Sequence, residues 1–427
     1  MAKKTKPVTE ETAAAQPYYL QRAHIKDFRS IRDAKVEFKP GLNIIIGKNG
    51  AGKTNLVRVL RNAVANQNSN LGSWNEFVFS GPHTLEVRLT RARIDAKKAS
   101  FIHEMNKNRI EASLKIDGID YFTEELLVNF WLDTNKKRVK EEKSQISPPN
   151  KILVINHGIP SEYQLIASDA ELSIENYAMG TAGHYTRLGR TIIDGIQHSV
   201  FNAYLEHGVE STDLISVNIV EDIIGKIAEF NLERIRYALK QYSPISDVRL
   251  SDSIRIYHNK QQNEILVKGL VMEFCVNGVW LPFSALSSGT QRLFYIISEV
   301  LAPIQYYLAK KSRKGYGLND STQTILLEEP ELGIHPDQLY LLLSFLREQS
   351  EKHQIIITTH SPQVLDMLNA DELDRITICE LDEKKGTQFR KLTKKKIATA
   401  QKFMKDVGYL SDFWLYSSLE EKSQSAS

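Results

Sequence analysis

Cysteine is scarce in this sequence, and long apolar runs are missing. Cys275 and Cys379 are the only cysteines, too few for a disulfide framework or a cysteine-rich zinc site. No apolar run approaches the roughly 18–20 residues that cross a bilayer. Residues 1–17 are polar and lack the apolar centre of a secretion signal. The sequence therefore predicts a cytoplasmic protein that does not enter a membrane.

A strong net charge and a coiled-coil pattern are also missing. The net charge of +3 does not make the whole chain a general binder of nucleic acid. No hydrophobic heptad is sustained over several turns, which argues against a long coiled-coil arm. Basic residues do cluster locally, within 136–143 and within 384–405. Such clusters are usually solvated faces, and a contact with a phosphate backbone is the alternative for the second cluster.

The most informative stretch is Ile44–Asn55, which contains the motif G-x-x-x-x-G-K-[ST] between an apolar strand pattern and a helical pattern. Glycines let the backbone curl so that its N–H groups point at phosphates, and the positive end of the following helix faces the same anion. The motif predicts that Lys53 neutralises the β- and γ-phosphates of ATP and that Thr54 binds Mg²⁺. A plain glycine-rich turn is the alternative. The predicted nucleotide-binding residues of this phosphate loop are Gly47, Lys48, Asn49, Gly50, Ala51, Gly52, Lys53, Thr54 and Asn55.

Three further motifs follow in a fixed order. Leu286–Gln291 (the signature segment, Leu-Ser-Ser-Gly-Thr-Gln) precedes an apolar helical pattern. The apolar run Thr324–Leu327 leads into Glu328–Glu331 (the acidic run, Glu-Glu-Pro-Glu), and a second apolar run leads into His360. Carboxylates at the end of a parallel strand are expected beside the phosphate loop. Taken singly, these motifs also fit a helix cap, an acidic turn and a structural histidine.

In this order the four motifs resemble those of the ABC-type ATPases, in particular the soluble branch that contains RecF, Rad50 and the OLD ATPases of bacterial defence. The resemblance covers the N-terminal part and Phe283 to about Asn369, but not the middle. It implies an α/β fold: an ABC-type P-loop ATPase head with a central, mostly parallel sheet, an antiparallel β part and an inserted, mainly helical subdomain. The expected divisions are a disordered lead (1–17), the first lobe of the head (18–94), the inserted subdomain (95–245), the second lobe (246–370), a basic C-terminal extension (371–420) and a disordered tail (421–427).

The resemblance also implies catalytic roles. Glu328 would hold Mg²⁺ together with Thr54, and Glu329 would polarise the water that attacks the γ-phosphate. Most of the family has Asp at the position of Glu328, and the longer carboxylate can still reach the metal shell. His360 would be the switch histidine that hydrogen-bonds the γ-phosphate.

The signature segment implies a homodimer or a larger homo-oligomer. Ser287, Ser288 and Gly289 would bind the ATP held by a second copy, with ATP sandwiched between the two. Ser288 replaces a glycine and Thr290 replaces a glutamine of the family's signature. Residues 332–336 fall where the family's dimer-contacting loop lies. Gln164 would be the glutamine that contacts Mg²⁺ and water, and the pair Phe28–Arg29 would lie where the base or the α-phosphate could be met, with packing and surface as the alternative.

Two functions from different classes follow. The first is an ATPase switch that acts as the sensor or scaffold of a bacterial anti-phage system and controls a separate effector subunit, which we expect to be a nuclease. OLD nucleases carry a metal-binding toprim domain after the ATPase, and the stretch after His360 is too short for one. The second is a RecF-like protein in which ATP gates DNA binding. A binder of ATP that hydrolyses little is a third option.

Overall fold

The computed structural model describes residues 18–64, 71–91, 110–123, 152–155, 172–174, 217–259, 264–302 and 323–416, with helical residues between 188 and 199. The predicted lead and tail, Gln164 and the basic cluster at 136–143 lie outside the described residues. Across the described ranges, no helix has both the length and the apolar character needed to cross a membrane.

Eighteen strands and six longer helices are described. The strands are β1 Tyr19–Phe28, β2 Ile31–Glu37, β3 Leu42–Ile46, β4 Trp74–Ser80, β5 Leu85–Arg91, β6 Ile110–Ile116, β7 Ile119–Thr123, β8 Ile152–Ile155, β9 Leu172–Ile174, β10 Ile245–Leu250, β11 Arg255–Asn259, β12 Glu264–Lys268, β13 Met272–Val276, β14 Val279–Pro282, β15 Thr324–Glu328, β16 Gln354–Thr359, β17 Ile376–Asp382 and β18 Gly386–Lys391. The helices are α1 Lys53–Val64, α2 Val217–Tyr242, α3 Ser288–Leu301, α4 Pro336–Gln349, α5 Lys394–Asp406 and α6 Leu410–Tyr416.

A 12-stranded mixed sheet organises the fold, in the order β7-β6-β5-β4-β1-β2-β18-β17-β3-β16-β15-β8. From β17 to β8 the neighbouring strands run parallel, and from β7 to β17 they run antiparallel. Two three-stranded sheets, β10-β13-β14 and β11-β12-β9, complete the described strands. The predicted α/β class with a parallel and an antiparallel part is confirmed.

The parallel half is buried on both faces, which is why its strands are almost continuously apolar. Alternate residues of β3 point to opposite faces. Ile44 and Ile46 belong to a core shared with α2, α3 and α4. Ile45 belongs to a second core, shared with Leu56 and Val59 of α1. The phosphate-loop strand is therefore held between two cores.

The segment predicted as a basic C-terminal extension contributes two strands to the large sheet. β17 lies directly beside β3, with Ile376 paired to Ile44, and β18 joins β17 to the antiparallel half through the pair Gly386 and Ile31. The buried side chains of Ile376 and Ile378 explain this placement, because only an interior strand keeps them from water. The lysines that suggested an extension are concentrated farther along, in α5.

The predicted inserted segment, 95–245, contains both kinds of structure. Its strands β6, β7 and β8 extend the large sheet at its two ends, whereas α2 is a helix of 26 residues. The division of the chain into domains stays a prediction.

Candidate functional site

Three parallel strands carry the predicted site residues to one edge of the sheet. The register pairs Ile46 of β3 with Thr359 of β16, and Thr358 of β16 with Glu328 of β15. Two backbone bonds continue this alignment beyond the strands: Gly47 N–H donates to Thr359 O (3.3 Å) and Glu329 N–H donates to Thr358 O (2.8 Å). The phosphate loop, the acidic run and His360 therefore meet at this edge, as expected for the carboxyl ends of parallel strands.

Glycine is required at two positions of the phosphate loop. Gly52 has φ +107°, and a Cβ there would lie 2.1 Å from Thr387 Oγ1. At Gly47 a Cβ would lie 2.1 Å from the carbonyl oxygen of Cys379. The loop therefore curls directly onto β17 and β18, and the Thr387 hydroxyl donates to Ala51 O at 2.9 Å. Sequence reasoning missed this support, because Cys379 and Thr387 match no motif.

Lys53 lies inside the curl of the loop, 5% exposed. Its ammonium group donates to Gly47 O (2.8 Å) and Lys48 O (3.1 Å), and it lies 3.8 Å from Glu329 Oε1. A loop with left-handed glycines, a buried lysine and the N-terminus of α1 is the arrangement that binds phosphates. The residues present therefore fit a nucleoside triphosphate.

The side chains of Thr54 and Asn55, at the end of the loop, lie in different surroundings. Thr54 lies in the first turn of α1, half-buried, where its hydroxyl could face a metal ion. Asn55, which was predicted to bind nucleotide, donates its side-chain amide to Ser30 Oγ at 2.7 Å. Ser30 in turn shares a hydrogen bond with Thr387 at 2.7 Å. The side chain of Asn55 thus links the start of α1 to the turn between β1 and β2.

The chemistry of the donors fits Mg²⁺ rather than a metal with an all-protein cage. Glu328 is buried at the end of β15, two strands from β3, and Thr54 supplies a hydroxyl. No cluster of three or more His, Cys, Asp or Glu side chains suited to a metal ion occurs among the described residues. Mg²⁺ usually keeps several waters and takes phosphate oxygens in addition to one or two protein ligands. One carboxylate and one hydroxyl are therefore a sufficient protein contribution.

Glu329 is held in an unusual backbone conformation. Its φ of +43° lies in the left-handed region, which costs an L-residue roughly 1–2 kcal/mol. Its side chain is 19% exposed, and Oε1 lies 3.3 Å from His360 Nδ1. Such strain is concentrated at functional sites. Here the turn aims the carboxylate at the space bounded by Lys53 and His360.

Sequence reasoning missed Glu331, the third carboxylate of the acidic run. It is buried, and its Oε1 accepts a hydrogen bond of 2.5 Å from the Thr359 hydroxyl and lies 3.7 Å from His360 Nδ1. Burial raises the pKa of Glu331 above its ordinary value, although the bond from Thr359 opposes this change. The signal in the sequence that could have indicated Glu331 is the acidic run itself, in which this last carboxylate follows the proline.

The signature segment forms a surface with the predicted dimer-contacting loop. Ser287 caps α3, its hydroxyl accepting from Thr290 N–H at 3.2 Å, and both Ser287 and Ser288 are exposed. Gly289 is buried, and a Cβ there would lie 3.0 Å from Gly333 O. The helix begins at Ser288, inside the signature segment.

The pair Phe28–Arg29 is divided between the core and solvent. Phe28 is buried in the core beneath the antiparallel strands, whereas Arg29 is exposed in the turn after β1 with φ +52°. The Arg29 guanidinium lies 5.7 Å from the Phe28 ring centroid. This geometry favours packing for Phe28 over contact with a nucleotide base.

Known protein families match most of this chain. The family described as "AAA domain" matches residues 22–268, more than half of the chain. A second family, described as "AAA domain, putative AbiEii toxin, Type IV TA system", matches residues 224–366. The two matches together take in the phosphate loop, the signature segment, the acidic run and His360.

Individual relatives come from phage and bacteria. The Old nuclease of Escherichia phage P2 is 23% identical over 402 residues, which cover 88% of this chain and 62% of the nuclease. The Septu protein PtuA of Bacillus thuringiensis is 31% identical over 110 residues, 26% of each chain. The DNA replication and repair protein RecF of Acidothermus cellulolyticus is 52% identical over 42 residues, 10% of this chain and 11% of RecF. The chain thus spans less than two thirds of the length of each relative.

Solved structures with a similar outline include SMC head domains. An SmcHead bound to the C-winged helix domain of ScpA aligns with a TM-score of 0.47 and 13% identity, covering 88% of this chain and 99% of the SMC chain. The SMC head domain from Thermotoga maritima aligns with a TM-score of 0.42, at 13% identity and with 88% and 99% coverage.

Proposed function

We propose the function of this chain from the premise that it belongs to the AAA domain family, as an ABC-type ATPase of the branch that includes RecF and the OLD proteins. The chain binds ATP in the phosphate loop and hydrolyses it to ADP and phosphate. The observation that carries this proposal is the arrangement of Lys53, Glu329 and His360, in which Glu329 Oε1 lies 3.8 Å from the lysine and 3.3 Å from the histidine.

Each side chain has a task in that reaction. Lys53, now bonded to the loop's own carbonyls, turns its ammonium to the β- and γ-phosphates when nucleotide enters. Glu329 accepts a hydrogen bond from the attacking water and orients it, since its carboxylate is held at the mouth of the loop. His360 donates to a γ-phosphate oxygen from its ring. Thr54 and Glu328 would hold Mg²⁺, which would supply charge neutralisation at the phosphate oxygens.

ATP acts as a switch between two copies of the chain. Ser287 and Ser288 are exposed at the N-terminus of α3, beside the turn at 332–335, so this surface is available to a second nucleotide-bound subunit. Binding at the interface closes the pair and hydrolysis opens it. The relatives named Old nuclease and Septu protein PtuA support a role in anti-phage defence, in which the closed or open pair controls a separate nuclease effector.

The direct test is the turnover of ATP by purified chain with Glu329→Gln as the decisive variant. The amide keeps the size of the side chain but cannot polarise water, so we expect kcat to fall by two orders of magnitude or more while ATP still binds. Lys53→Ala should lose ATP binding itself. Equal, near-zero turnover in the wild-type chain and Glu329→Gln would instead indicate a pure nucleotide binder.

A second candidate function, ATP-gated binding of DNA, is favoured by one surface feature. On the antiparallel half, Lys26 and Arg88 lie 5.4 and 5.5 Å from the ring centroid of half-buried Trp74. Cations beside an aromatic ring suit a nucleic-acid backbone with stacked bases, although Glu76 pairs with Arg88 at 2.9 Å. The test measures the fluorescence anisotropy of labelled duplex DNA. An ATP-dependent and salt-sensitive rise in anisotropy that is smaller with Trp74→Ala would support this function. If the chain without any effector bound no DNA at any salt concentration, this function would be rejected.

A further inference from the structure

Glu331 is a buried carboxylate that none of the proposed chemical steps uses. It lies two residues after Glu329, is 9% exposed, and has one short bond, 2.5 Å to the Thr359 hydroxyl. Burial of a carboxylate is unfavourable even when a hydroxyl donates to it, and an apolar residue would serve packing better. Its presence beside the proposed catalytic groups therefore calls for a functional explanation.

The hydrogen bond that Glu331 accepts links it to the residues on both sides of His360 in the chain. Thr359 Oγ1 donates to Glu331 and also accepts from the backbone N–H of Ser361 at 2.9 Å. His360 lies between Thr359 and Ser361, so the carboxylate fixes the backbone on either side of the histidine. This anchor is needed because β16 ends at Thr359 and the sheet no longer holds the chain beyond it.

The imidazole ring faces two carboxylates at unequal distances. Its Nδ1 lies 3.3 Å from Glu329 Oε1 and 3.7 Å from Glu331 Oε1, both longer than an ordinary hydrogen bond. His360 Nδ1 and Glu331 Oε2 are buried atoms that make no hydrogen bond within the described part of the chain. Buried polar atoms are normally paired. A small rotation of the ring toward Glu331 would pair Nδ1 and would leave Glu329 for the attacking water.

We propose that Glu331 is a positioning residue. It holds His360 through Thr359 and accepts a hydrogen bond from Nδ1 of His360, while Glu329 holds the water. This inference rests on the proposed ATPase function and adds a residue to it. Glu331 does not touch the nucleotide. Its effect is to keep the ring nitrogen Nε2 directed at the γ-phosphate and to separate the tasks of the two carboxylates.

The test compares Glu331→Ala, Thr359→Val and Thr359→Ser in steady-state ATP turnover. Glu331→Ala and Thr359→Val each break the link, so we expect kcat to fall tenfold or more while KM and ATP affinity change less than about twofold. Thr359→Ser keeps the hydroxyl and should restore most of the turnover. Because both substitutions act through one link, the double variant should be no slower than the slower single variant.

A matched control is Asp366→Asn. Asp366, six residues after His360, is another partly buried carboxylate that accepts from a hydroxyl, that of Ser411 at 2.7 Å. A general loss of stability would lower the melting temperature in both Glu331→Ala and Asp366→Asn. Only Glu331→Ala should lower kcat at a temperature where both variants are folded. Unchanged kcat in folded Glu331→Ala, in a wild-type background that hydrolyses ATP, would overturn the inference.

A second measurement does not depend on hydrolysis. In ¹⁵N-histidine NMR spectra of the nucleotide-free chain, the ring signals of His360 can be assigned by their loss in His360→Asn. We expect Glu331→Ala to shift these signals and Asp366→Asn to leave them in place. Unshifted His360 signals in Glu331→Ala would contradict the positioning role. Absence of ATP turnover in the wild-type chain would contradict the proposed function alone.

Discussion

Four ionisable side chains, Lys53, Glu329, Glu331 and His360, are collected at one sheet edge, and their burial differs. Lys53 and Glu331 are buried, whereas Glu329 and His360 keep part of their surface in solvent. A buried group exchanges protons and water poorly, whereas a partly exposed one can meet a substrate. This difference is consistent with the proposal that Glu329 and His360 meet the water and the γ-phosphate while Glu331 supports them.

Burial of Glu331 has a consequence for stability against pH. Its pKa in the folded chain is raised above the ordinary 4.5, chiefly by desolvation. The folded state therefore binds this proton more tightly than the unfolded state. Its contribution to stability is fully present below the ordinary pKa and is lost as the pH rises through the folded value.

Glu331→Gln should remove this pH dependence. The amide oxygen can still accept from Thr359 without the cost of a buried charge. We expect the free energy of unfolding of the variant to exceed that of the wild-type chain by more at pH 8 than at pH 5, in urea denaturation. The exposed Glu351→Gln serves as the control and should show no such trend. A difference between Glu331→Gln and wild type that stays constant over this range would refute the expectation.

At the scale of elements, the phosphate loop depends on strands that come more than 300 residues later. Cys379 of β17 and Thr387 of β18 lie directly under the loop, and Thr387 bonds to Ala51 O. Burial raises the pKa of the Cys379 thiol to about 12, so it remains a neutral packing group rather than a nucleophile. The two strands thus pack against the phosphate loop and support its conformation.

Gly52→Ala tests the packing of the phosphate loop against these strands. A methyl group at this position would meet Thr387 Oγ1 at 2.1 Å and would also occupy a φ of +107°. We expect ATP affinity, measured by isothermal titration calorimetry, to fall at least tenfold while the chain remains folded. Gly118→Ala is the matched control: its φ is +81° with nothing within 4 Å, so it carries only the conformational cost of about 1–2 kcal/mol. Wild-type ATP affinity in Gly52→Ala would show that the loop does not rest on Thr387 when nucleotide is bound.

At the scale of the whole molecule, the signature segment and the phosphate loop are expected to act in different copies. The exposed serines at the start of α3 and the exposed turn at 332–335 lie on one surface of the chain. An isologous pair whose shared surface also includes the phosphate loop would bring each loop to the partner's α3. Complementation between variants distinguishes this arrangement from a site built within one chain.

Lys53→Ala and Ser288→Arg should each abolish turnover alone and recover it when mixed. In a mixed pair, one of the two sites combines an intact phosphate loop with an intact signature segment. Random pairing makes half of the dimers mixed, so about a quarter of wild-type turnover should return if the sites act independently. The control mixes Lys53→Ala with Glu329→Gln, which leaves no site intact because both residues belong to the same half. Recovery in the control, or none in the test, would contradict the sandwich.

The sequence by itself determined the local chemistry. The phosphate loop, the acidic run and His360 each follow an apolar strand that could be read from its own residues, because backbone curl, helix start and strand burial depend on nearest neighbours. The α/β class followed from the same patterns. The parallel order of strands was implied by the resemblance, and the structure confirms it around β3.

Only the tertiary structure decided which distant residues complete the site. Glu331 faces His360, Thr387 supports Gly52, and β17 lies beside β3, although nothing local distinguishes these residues from surface or packing positions. The physical reason is that burial and strand pairing are set by segments far apart in the chain, so a carboxylate or a hydroxyl acquires its role only when the sheet has brought its partner to it.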